Sequence, residues 1–281
     1  MKKRIFLPIL CLLLVCTLAL PTFAGERAYN WYFMRTPDHA APPCPPEFPF
    51  LAEHNAYFLD RHAAPEDKVL YLTFDAGYEN GNIAKTLDIL SAHHATGAFF
   101  ILENLIQREP ALVKRMAAEG HTVCNHTAKH KDMTRLGEQA FAAELAALAD
   151  AYSALTGERI APFYRPPEGR FNESNLRWAN ALGYKTVFWS FAYADWDNQK
   201  QPDPKSALQK LTDHLHNGEV LLLHPTSDTN AAILGDFLDY AKKEGYRFGT
   251  LSELVSKQAP DDLMRTLRPG GCLPTAQDHA R

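Results

Sequence analysis

The chain has 281 residues, of which 46% are hydrophobic and 22% charged, and its formal net charge is -4. This balance is typical of an ordinary globular protein, with enough length for one large core or two small ones. Because basic residues are not in excess, the composition gives no support to a nucleic acid as partner.

The first residues have the parts of a secretory signal. A basic start from Lys2 to Arg4 is followed by an apolar run that extends to Leu20, and small residues precede a cleavage position after Ala24. A run of this length with these flanks predicts a signal peptide over residues 1–24 and not a stable membrane span. The mature chain is therefore predicted to be secreted.

Three cysteines lie beyond this segment, at Cys44, Cys124 and Cys272. An odd number in an oxidising compartment leaves at least one of them unpaired. Cys124 lies in an apolar run and is predicted to be buried and free. A disulfide between Cys44 and Cys272 stays open, because the sequence alone does not define connectivity.

Residues 25–67 are rich in aromatic residues and proline and have no clear period. This composition predicts an N-terminal arm that packs on the outside of the domain that follows. The domain is predicted to extend over residues 68–258, and a loosely ordered C-terminal tail over residues 259–281.

Within the predicted domain, short β-rich runs alternate with helical stretches. The apolar residues from Phe141 to Leu155 recur at steps of four and three, which places them on one face of a helix. Repeated units of strand, helix and strand predict an α/β fold with a mostly parallel sheet, either open and doubly wound or closed into a barrel. Seven runs favour a (β/α) barrel of about seven strands: KVLYLTF, GAFFIL, HTVCN, APFYR, YKTVFWSFA, EVLLLH and YRFGT.

Titratable residues follow five of these predicted strands. In parallel α/β architectures, ligands bind at the carboxyl ends of the strands, where loops carry the chemistry. A site is therefore predicted at this edge of the sheet. Its candidate residues, in chain order, are Asp75, His126 and His130, Arg165, Asp195 and His224.

His126 and His130 are four residues apart, a spacing that on one helical turn would place both imidazoles on the same side, close enough to share a metal ion. The alternative is a pair of solvated histidines at the start of a helix. Their position after a predicted strand favours the metal site.

Asp75 follows a buried strand, where an unpaired charge is costly and needs a partner. Arg165 is the predicted partner, because the two prolines after it restrict the backbone and so fix the direction of its guanidinium. The alternative role for Asp75 is to cap a helix or form a turn.

His224 ends a buried strand and precedes a proline, which keeps its backbone extended. It is either a functional group or a core histidine whose hydrogen bonds are satisfied. Asp195 competes with Asp197 for a functional role, and Trp196 is predicted to belong to the core or to stack against a sugar ring. The remaining helical histidines, among them His216, are predicted to face solvent.

In this order, the motifs TFDAG, HTAKH, RPPEG, ADW and LLH resemble those of the polysaccharide deacetylases of carbohydrate esterase family 4, the NodB-homology domain. The stretches YENG, NWYF and WSFAYADW are similar to the branch that removes acetyl groups from N-acetylmuramic acid and so prepares the muramic δ-lactam of spore cortex. The resemblance implies a distorted (β/α) barrel and a de-N-acetylase that acts on peptidoglycan outside the cytoplasm, associated with the cell wall.

The resemblance also implies roles for individual residues. Asp75 would be the base, and His224 the acid that protonates the departing amine. Arg165 would hold Asp75, and Asp195 would orient His224. A backbone N–H around Glu168 would meet the oxyanion, Trp196 would contact the sugar, and Leu222 would shape the acetyl pocket.

The chain departs from the family pattern at Ala76, where most members carry a second acid that binds the metal. His126 and His130 would then hold one divalent cation, zinc or another, more weakly than a site with three protein ligands. The muramic acid branch, in which asparagine is common at this position, also lacks that acid. The resemblance therefore implies a working enzyme with a lightly held metal.

Two alternatives differ in substrate or in class. The first is a deacetylase of N-acetylglucosamine residues or of chitin oligomers. The second is a secreted glycan-binding module that has lost turnover, but binding alone would not require a base, an acid and an orienting group together. The implied partners are a peptidoglycan glycan strand and, functionally, a muramoyl amidase.

Overall fold

The computed structural model describes residues 26–257. The predicted signal peptide, Cys272 and the predicted tail lie outside the described residues. Within the described range, no helix is both long enough and apolar enough to span a bilayer.

Strands and helices alternate along most of the described chain. The strands are β1 (Tyr29–Asn30), β2 (Ala56–Tyr57), β3 (Val69–Ala76), β4 (Ala98–Ile101), β5 (Thr122–Asn125), β6 (Ala161–Tyr164), β7 (Arg170–Phe171), β8 (Lys185–Val187), β9 (Phe191–Ala192), β10 (Glu219–Leu223) and β11 (Arg247–Phe248). The α-helices are α1 (Asn82–Ala92), α2 (Glu103–Arg108), α3 (Pro110–Ala118), α4 (Glu138–Thr156), α5 (Glu173–Ala181), α6 (Pro204–His214), α7 (Asp228–Lys243) and α8 (Leu251–Ser256). Short 3-10 helices cover Pro49–His54, Met133–Arg135 and Pro167–Gly169.

The main sheet is parallel throughout, with the order β2-β8-β6-β5-β4-β3-β10-β9, and β11 pairs with the start of β3. The eight strands on this path curl into a half-barrel, which confirms the predicted α/β fold of distorted barrel type. Strands β2 and β9 end the path and do not pair with each other in the described chain.

Helix burial follows the predicted period. Phe141, Leu145, Leu148 and Tyr152 are buried on one face of α4, and Gly157 in the left-handed conformation ends this helix, donating its N–H to Ser153. Helix α3 starts with proline at its first turn, where a missing N–H costs nothing. The helices cover the outside of the sheet, so the carboxyl ends of the strands are left for the site.

All seven predicted strand runs contain a strand, and two details differ. The run YKTVFWSFA is divided into β8 and β9, which pair with different neighbours. Strand β2 has no counterpart among the predicted runs; it lies within the predicted arm and pairs with β8 at the edge of the main sheet. The arm packs on the outside, as predicted, but its last part also extends the sheet.

Cys124 is buried and free, as predicted. Cys44 is disulfide-bonded, and the pairing with Cys272 that the sequence left open concerns a residue outside the described range. The prediction that His216 faces solvent is wrong. This side chain is buried and its Nε2 is 2.9 Å from the Ser190 hydroxyl oxygen, because β10, which follows it, lies inside the sheet between β3 and β9.

Candidate active site

Asp75 lies on β3 at the carboxyl edge of the sheet, and Arg165 holds it there. The Arg165 guanidinium donates to Asp75 Oδ1 at 2.8 Å. Burial alone would raise the pKa of Asp75, but the positive charge and hydrogen bond of Arg165 outweigh it, so that the pKa is lowered. Asp75 is therefore ionised at neutral pH, the state that a base requires.

Arg165 is fully buried and its guanidinium lies inside the curl of the sheet. It donates to the Thr73 hydroxyl at 2.9 Å and to the carbonyl oxygens of Val187 and Phe188 at 2.9 and 3.2 Å. In a flat sheet, β6 and β3 would be roughly 14 Å apart, three strand spacings. One side chain connects them here because the sheet curls.

His126 and His130 lie together as predicted, with ring centroids 5.0 Å apart. The predicted helical turn between them is wrong, because residues 126–130 form a loop. Thr127 and His130 have φ values of 74° and 52°, a conformation that β-branched residues such as threonine rarely adopt. The loop is held because Asn125 Oδ1 accepts from the Thr127 N–H at 2.9 Å and the Thr127 hydroxyl accepts from the His130 N–H at 3.0 Å.

The two imidazoles have the chemistry of metal ligands. His126 Nδ1 is 2.8 Å from the Arg165 carbonyl oxygen and donates to it, which leaves Nε2 with a free electron pair. Burial lowers the pKa of His126 to about 4, so the ring is neutral at pH 7. Asp75 Oδ2 is 3.6 Å from His126 Nε2. In residues 26–257 no cluster of three or more His, Cys, Asp or Glu side chains could hold a metal ion. If a cation were bound here, these two imidazoles would be its protein ligands, and the other ligands would have to come from water or substrate.

His224 is paired with Asp195. Its Nδ1 donates to Asp195 Oδ1 at 2.7 Å, and its backbone N–H donates to Oδ2 at 2.7 Å. Asn230 Nδ2 donates to the same Oδ2 at 2.6 Å and to the His224 carbonyl oxygen at 3.0 Å. Burial would lower the pKa of His224, but the hydrogen bond and charge of Asp195 raise it above its usual value. The ring is thereby prepared to carry a proton.

The sheet register places Asp75 beside His224. Strands β3 and β10 pair in parallel with Phe74 opposite Leu223. Asp75 follows Phe74 and His224 follows Leu223, so these two residues are also neighbours across the strands. Neighbouring strands are about 4.8 Å apart. A proton acceptor and a proton donor therefore occupy one place at the carboxyl edge, each fixed by its own oppositely charged partner.

These residues open into one cavity of about 780 Å³. Seven of the nine predicted site residues line it, and the other two, Arg165 and Asp195, are buried behind Asp75 and His224. Trp196 is 63% exposed at the rim, so the core alternative for it is wrong. The seven lining residues are Asp75, His126, His130, Glu168, Trp196, Leu222 and His224.

The arm also contributes to this cavity, which the sequence did not predict. Its contributing residues, together with Trp189, are Trp31, Tyr32, Phe33 and Arg35. The motif NWYF resembles the family branch, but aromatic residues after a two-residue strand have no periodicity that indicates where they pack. Asn230 was missed because it lies inside a helix, where asparagine has no distinctive pattern.

Gly169 fixes the arm to the loop after β6. Its carbonyl accepts from the Trp31 N–H at 2.8 Å, and the Trp31 indole donates to the Trp189 carbonyl at 2.9 Å. Gly169 has a φ of 64°, and a Cβ there would lie 2.7 Å from the Trp189 ring. Glu168 before it also has positive φ, at 56°, so the loop that lines the cavity is strained and braced.

A cavity in which a carboxylate and an imidazole are each set for proton transfer is typical of enzymes that use general acid–base catalysis, hydrolases among them. A profile for polysaccharide deacetylase matches residues 62–187. The peptidoglycan-N-acetylmuramic acid deacetylase PdaA of Bacillus subtilis is 37% identical over 227 residues, 80% of this chain and 85% of that protein. The chain belongs to the polysaccharide deacetylase family.

Solved structures agree with this family. The structure of Bacillus subtilis PdaA, a family 4 carbohydrate esterase, has a TM-score of 0.78 at 35% identity and covers 83% of this chain and 98% of its own. Among relatives found by sequence, a peptidoglycan-N-acetylglucosamine deacetylase of Bacillus cereus is 30% identical over 194 residues, 67% of this chain and 89% of that protein. A pseudoenzyme of family 4 from Bacillus anthracis shares the fold, with a TM-score of 0.65 at 23% identity over 72% of this chain and 69% of its own.

Proposed function

We propose that the protein is a metal-dependent de-N-acetylase of peptidoglycan that hydrolyses the acetamide of N-acetylmuramic acid. The observation that carries the proposal is the pair of Asp75 and His224, each held by an opposite charge at adjoining strand ends. The similarity to PdaA, whose name states the same substrate, supports the choice of sugar. The reaction consumes water and releases acetate and a free amine on the glycan.

Asp75 acts as the base in this proposal. A water molecule attacks the acetamide carbonyl carbon while the Asp75 carboxylate accepts its proton. Arg165 keeps the carboxylate ionised and in place, because its own hydrogen bonds fix the guanidinium in the curl of the sheet. A proton transfer of this kind contributes about 100- to 10,000-fold to the rate.

The oxyanion that forms on the carbonyl oxygen when water adds to the carbon accepts a hydrogen bond from the backbone N–H of Glu168. A backbone donor on a braced loop is preorganised, which is how such groups stabilise developing charge. Leu222 lines the same cavity with an apolar surface suited to the acetyl methyl. The exposed ring of Trp196 offers a platform for the sugar.

His224 is the acid. Its Nδ1 is occupied by Asp195, so the proton that it donates to the departing amine comes from Nε2. The hydrogen bond and charge of Asp195 raise the pKa of His224 against the effect of burial, which favours the protonated ring that this step requires. An amine leaves poorly without a proton, so this step completes cleavage of the carbon–nitrogen bond.

His126 and His130 would hold the divalent cation, zinc or another, and when bound it would polarise the carbonyl and favour ionisation of water. His126 is fixed for this by its bond to the Arg165 carbonyl, which sets its tautomer. Ala76 supplies no donor, which is the reason for proposing a lightly held cation.

The test is to follow acetate release from purified peptidoglycan by residues 25–281, with and without added zinc. The parent is expected to release acetate, and Asp75→Asn is expected to lower the rate by at least about 100-fold. Mass spectrometry of the digested glycan should then place the free amine on muramic acid. Absence of release by the parent, or an unchanged rate in Asp75→Asn, would show that the proposed chemistry is wrong.

A second candidate differs only in the sugar. The Bacillus cereus relative is named a peptidoglycan-N-acetylglucosamine deacetylase, so the glucosamine residue is the alternative substrate. The same mass spectrometry distinguishes the two, because a free amine on glucosamine would identify the alternative.

The proposed setting is extracytoplasmic and cell-wall associated, on the basis of the N-terminal sequence. Conversion of the muramic residue to the δ-lactam of spore cortex needs both a free amine and a free lactyl carboxyl group. A muramoyl amidase is therefore the functional partner that this proposal requires.

A further inference from the structure

One wall of the cavity comes from the N-terminal arm. Strand β1 pairs antiparallel with β7, directly after the loop that carries Glu168. Trp31 continues this contact through the two hydrogen bonds to Gly169 and Trp189 described above. The residues that follow Trp31 are therefore placed at the cavity by the arm and not by the sheet.

Arg35 lies in this wall, and the backbone on both sides of it is anchored. Phe33 packs against Phe191 with ring centroids 5.6 Å apart. The Thr36 hydroxyl donates to the Ala40 carbonyl, and the His39 imidazole is within 2.7 Å of the Leu215 carbonyl oxygen. The segment that carries Arg35 is thus fixed relative to the site.

Arg35 is an exposed cation that lines the cavity. Within residues 26–257 its guanidinium forms no ion pair and no hydrogen bond. The acid nearest to the chemistry, Asp75, is already paired with Arg165. The cavity that contains Asp75 and His224 therefore also offers a guanidinium whose five donors are unused.

An unused guanidinium in a sugar site is suited to a carboxylate, which it can bind through two parallel hydrogen bonds. In N-acetylmuramic acid, the ring carbon next to the one that carries the acetamide bears a lactyl ether that ends in a carboxyl group. N-acetylglucosamine has a hydroxyl at that position and no charge. When a stem peptide is attached, the lactyl carboxyl is an amide and is also uncharged.

We propose that Arg35 is a specificity-determining residue that binds the free lactyl carboxylate of the muramic acid residue. This inference rests on the proposed function, and it deepens it by assigning the discrimination between sugars to the arm. Side chains at the strand ends carry out the hydrolysis, whereas Arg35 of the arm binds the lactyl carboxylate on the neighbouring ring carbon.

The test uses one glycan in two forms. Peptidoglycan strands freed of stem peptides carry lactyl carboxylates, and conversion of these groups to primary amides removes the charge while keeping the size. The parent is expected to have a lower KM for the carboxylate form. Arg35→Gln is expected to raise that KM about ten- to a hundredfold, to leave kcat within about threefold, and to leave the KM for the amide form unchanged.

Two further variants test whether the effect is specific to the guanidinium of Arg35. Arg27→Gln removes another exposed arginine of the same arm, which stacks on Tyr29 and does not line the cavity, and it should behave like the parent. Arg35→Lys keeps the charge but not the two parallel hydrogen bonds, so its KM should fall between those of the parent and Arg35→Gln. Thermal unfolding of each variant checks that the fold is retained.

Binding to the inactive Asp75→Asn background provides a readout that does not depend on turnover. The Kd for the carboxylate glycan should rise on adding Arg35→Gln, whereas the Kd for the amide glycan should not. Equal binding of both forms by both chains would overturn the assignment of Arg35 even if acetate is released from muramic acid. Absence of acetate release, with the binding difference intact, would instead contradict the proposed function alone.

Discussion

Asp195 sets the proton affinity of His224, and replacing it should move the pH profile. The pKa of His224 is raised by Asp195 against the opposing effect of burial, so the proton needed by the acid is lost only as pH rises through this raised value. Asp195→Asn removes the charge. We expect the alkaline limb of kcat against pH to move to lower pH, and kcat at neutral pH to fall about ten- to a hundredfold, because the imidazole itself remains.

Asp197→Asn is the matched control, since this residue is two positions away and its side chain accepts from the Gln199 N–H at 2.9 Å and not from His224. Its pH profile should coincide with that of the parent. An alkaline limb that stays in place in Asp195→Asn would mean that His224 does not supply the proton, whatever the loss in rate.

At the scale of single residues, the sequence predicted the charged groups of the site but not all of their contacts. Asp75, Arg165 and His224 could be predicted because strand ends in a parallel sheet converge at one edge. The choice between Asp195 and Asp197 is decided by geometry, as Asp195 contacts His224. The sequence could not show that Arg165 bridges strands across the curl, because that depends on curvature.

Among the elements, the loop after β6 and the arm form one unit through Gly169. Gly169→Ala would place a Cβ 2.7 Å from the Trp189 ring and 3.0 Å from Trp31 Cβ, at a φ of 64°. Left-handed backbone costs about 1 kcal/mol and crowding about 1–3 kcal/mol more. We expect a loss of about 2–4 kcal/mol in the free energy of unfolding, with a fall in kcat/KM because the arm shifts from the cavity.

Gly157→Ala separates the two causes. Gly157 has a φ of 78° but no atom within 4 Å of its would-be Cβ, so only the backbone cost of about 1 kcal/mol applies. Denaturant unfolding and steady-state kinetics should show a smaller loss of stability and an unchanged kcat/KM. Equal effects of the two substitutions would show that the contact of Gly169 with the tryptophans is unimportant.

Most strands of the main sheet were predictable because buried parallel strands are continuous apolar runs, but β2 has only two residues and was not. The division of YKTVFWSFA into β8 and β9 was also not predicted, since no glycine or proline separates the two halves. The helical turn between His126 and His130 was wrong for a related reason. Spacing alone does not distinguish a turn of helix from a loop, and the Asn125 side chain decides it here through its bond to the Thr127 N–H.

At the scale of the whole molecule, the packing of the half-barrel determines which side chain is tolerated at position 76, directly after Asp75. Ala76 is fully buried, pairs with Ile101 of β4 and belongs to the main hydrophobic cluster. A carboxylate at this position would be buried without a partner unless a cation were bound. We therefore expect the free energy of unfolding of Ala76→Asp to depend on whether a metal ion is bound.

Without metal, Ala76→Asp should lower the free energy of unfolding by about 2–4 kcal/mol, and the Tm by roughly 5–15 °C. Zinc at a hundredfold excess over its Kd would restore about 2.7 kcal/mol. The parent, with two imidazoles only, should need more zinc for the same gain. Thermal unfolding across a zinc series measures this, because the midpoint concentration of the Tm increase reports the difference in affinity.

The control removes one imidazole from the Ala76→Asp chain. His130→Asn suits the position, because His130 has a φ of 52° and asparagine tolerates left-handed backbone. The rescue by zinc should then require a higher zinc concentration. If zinc raised the Tm of the parent, of Ala76→Asp and of the double variant at the same concentration, the cation would be bound elsewhere, and the weak hold proposed here for the two histidines would be wrong.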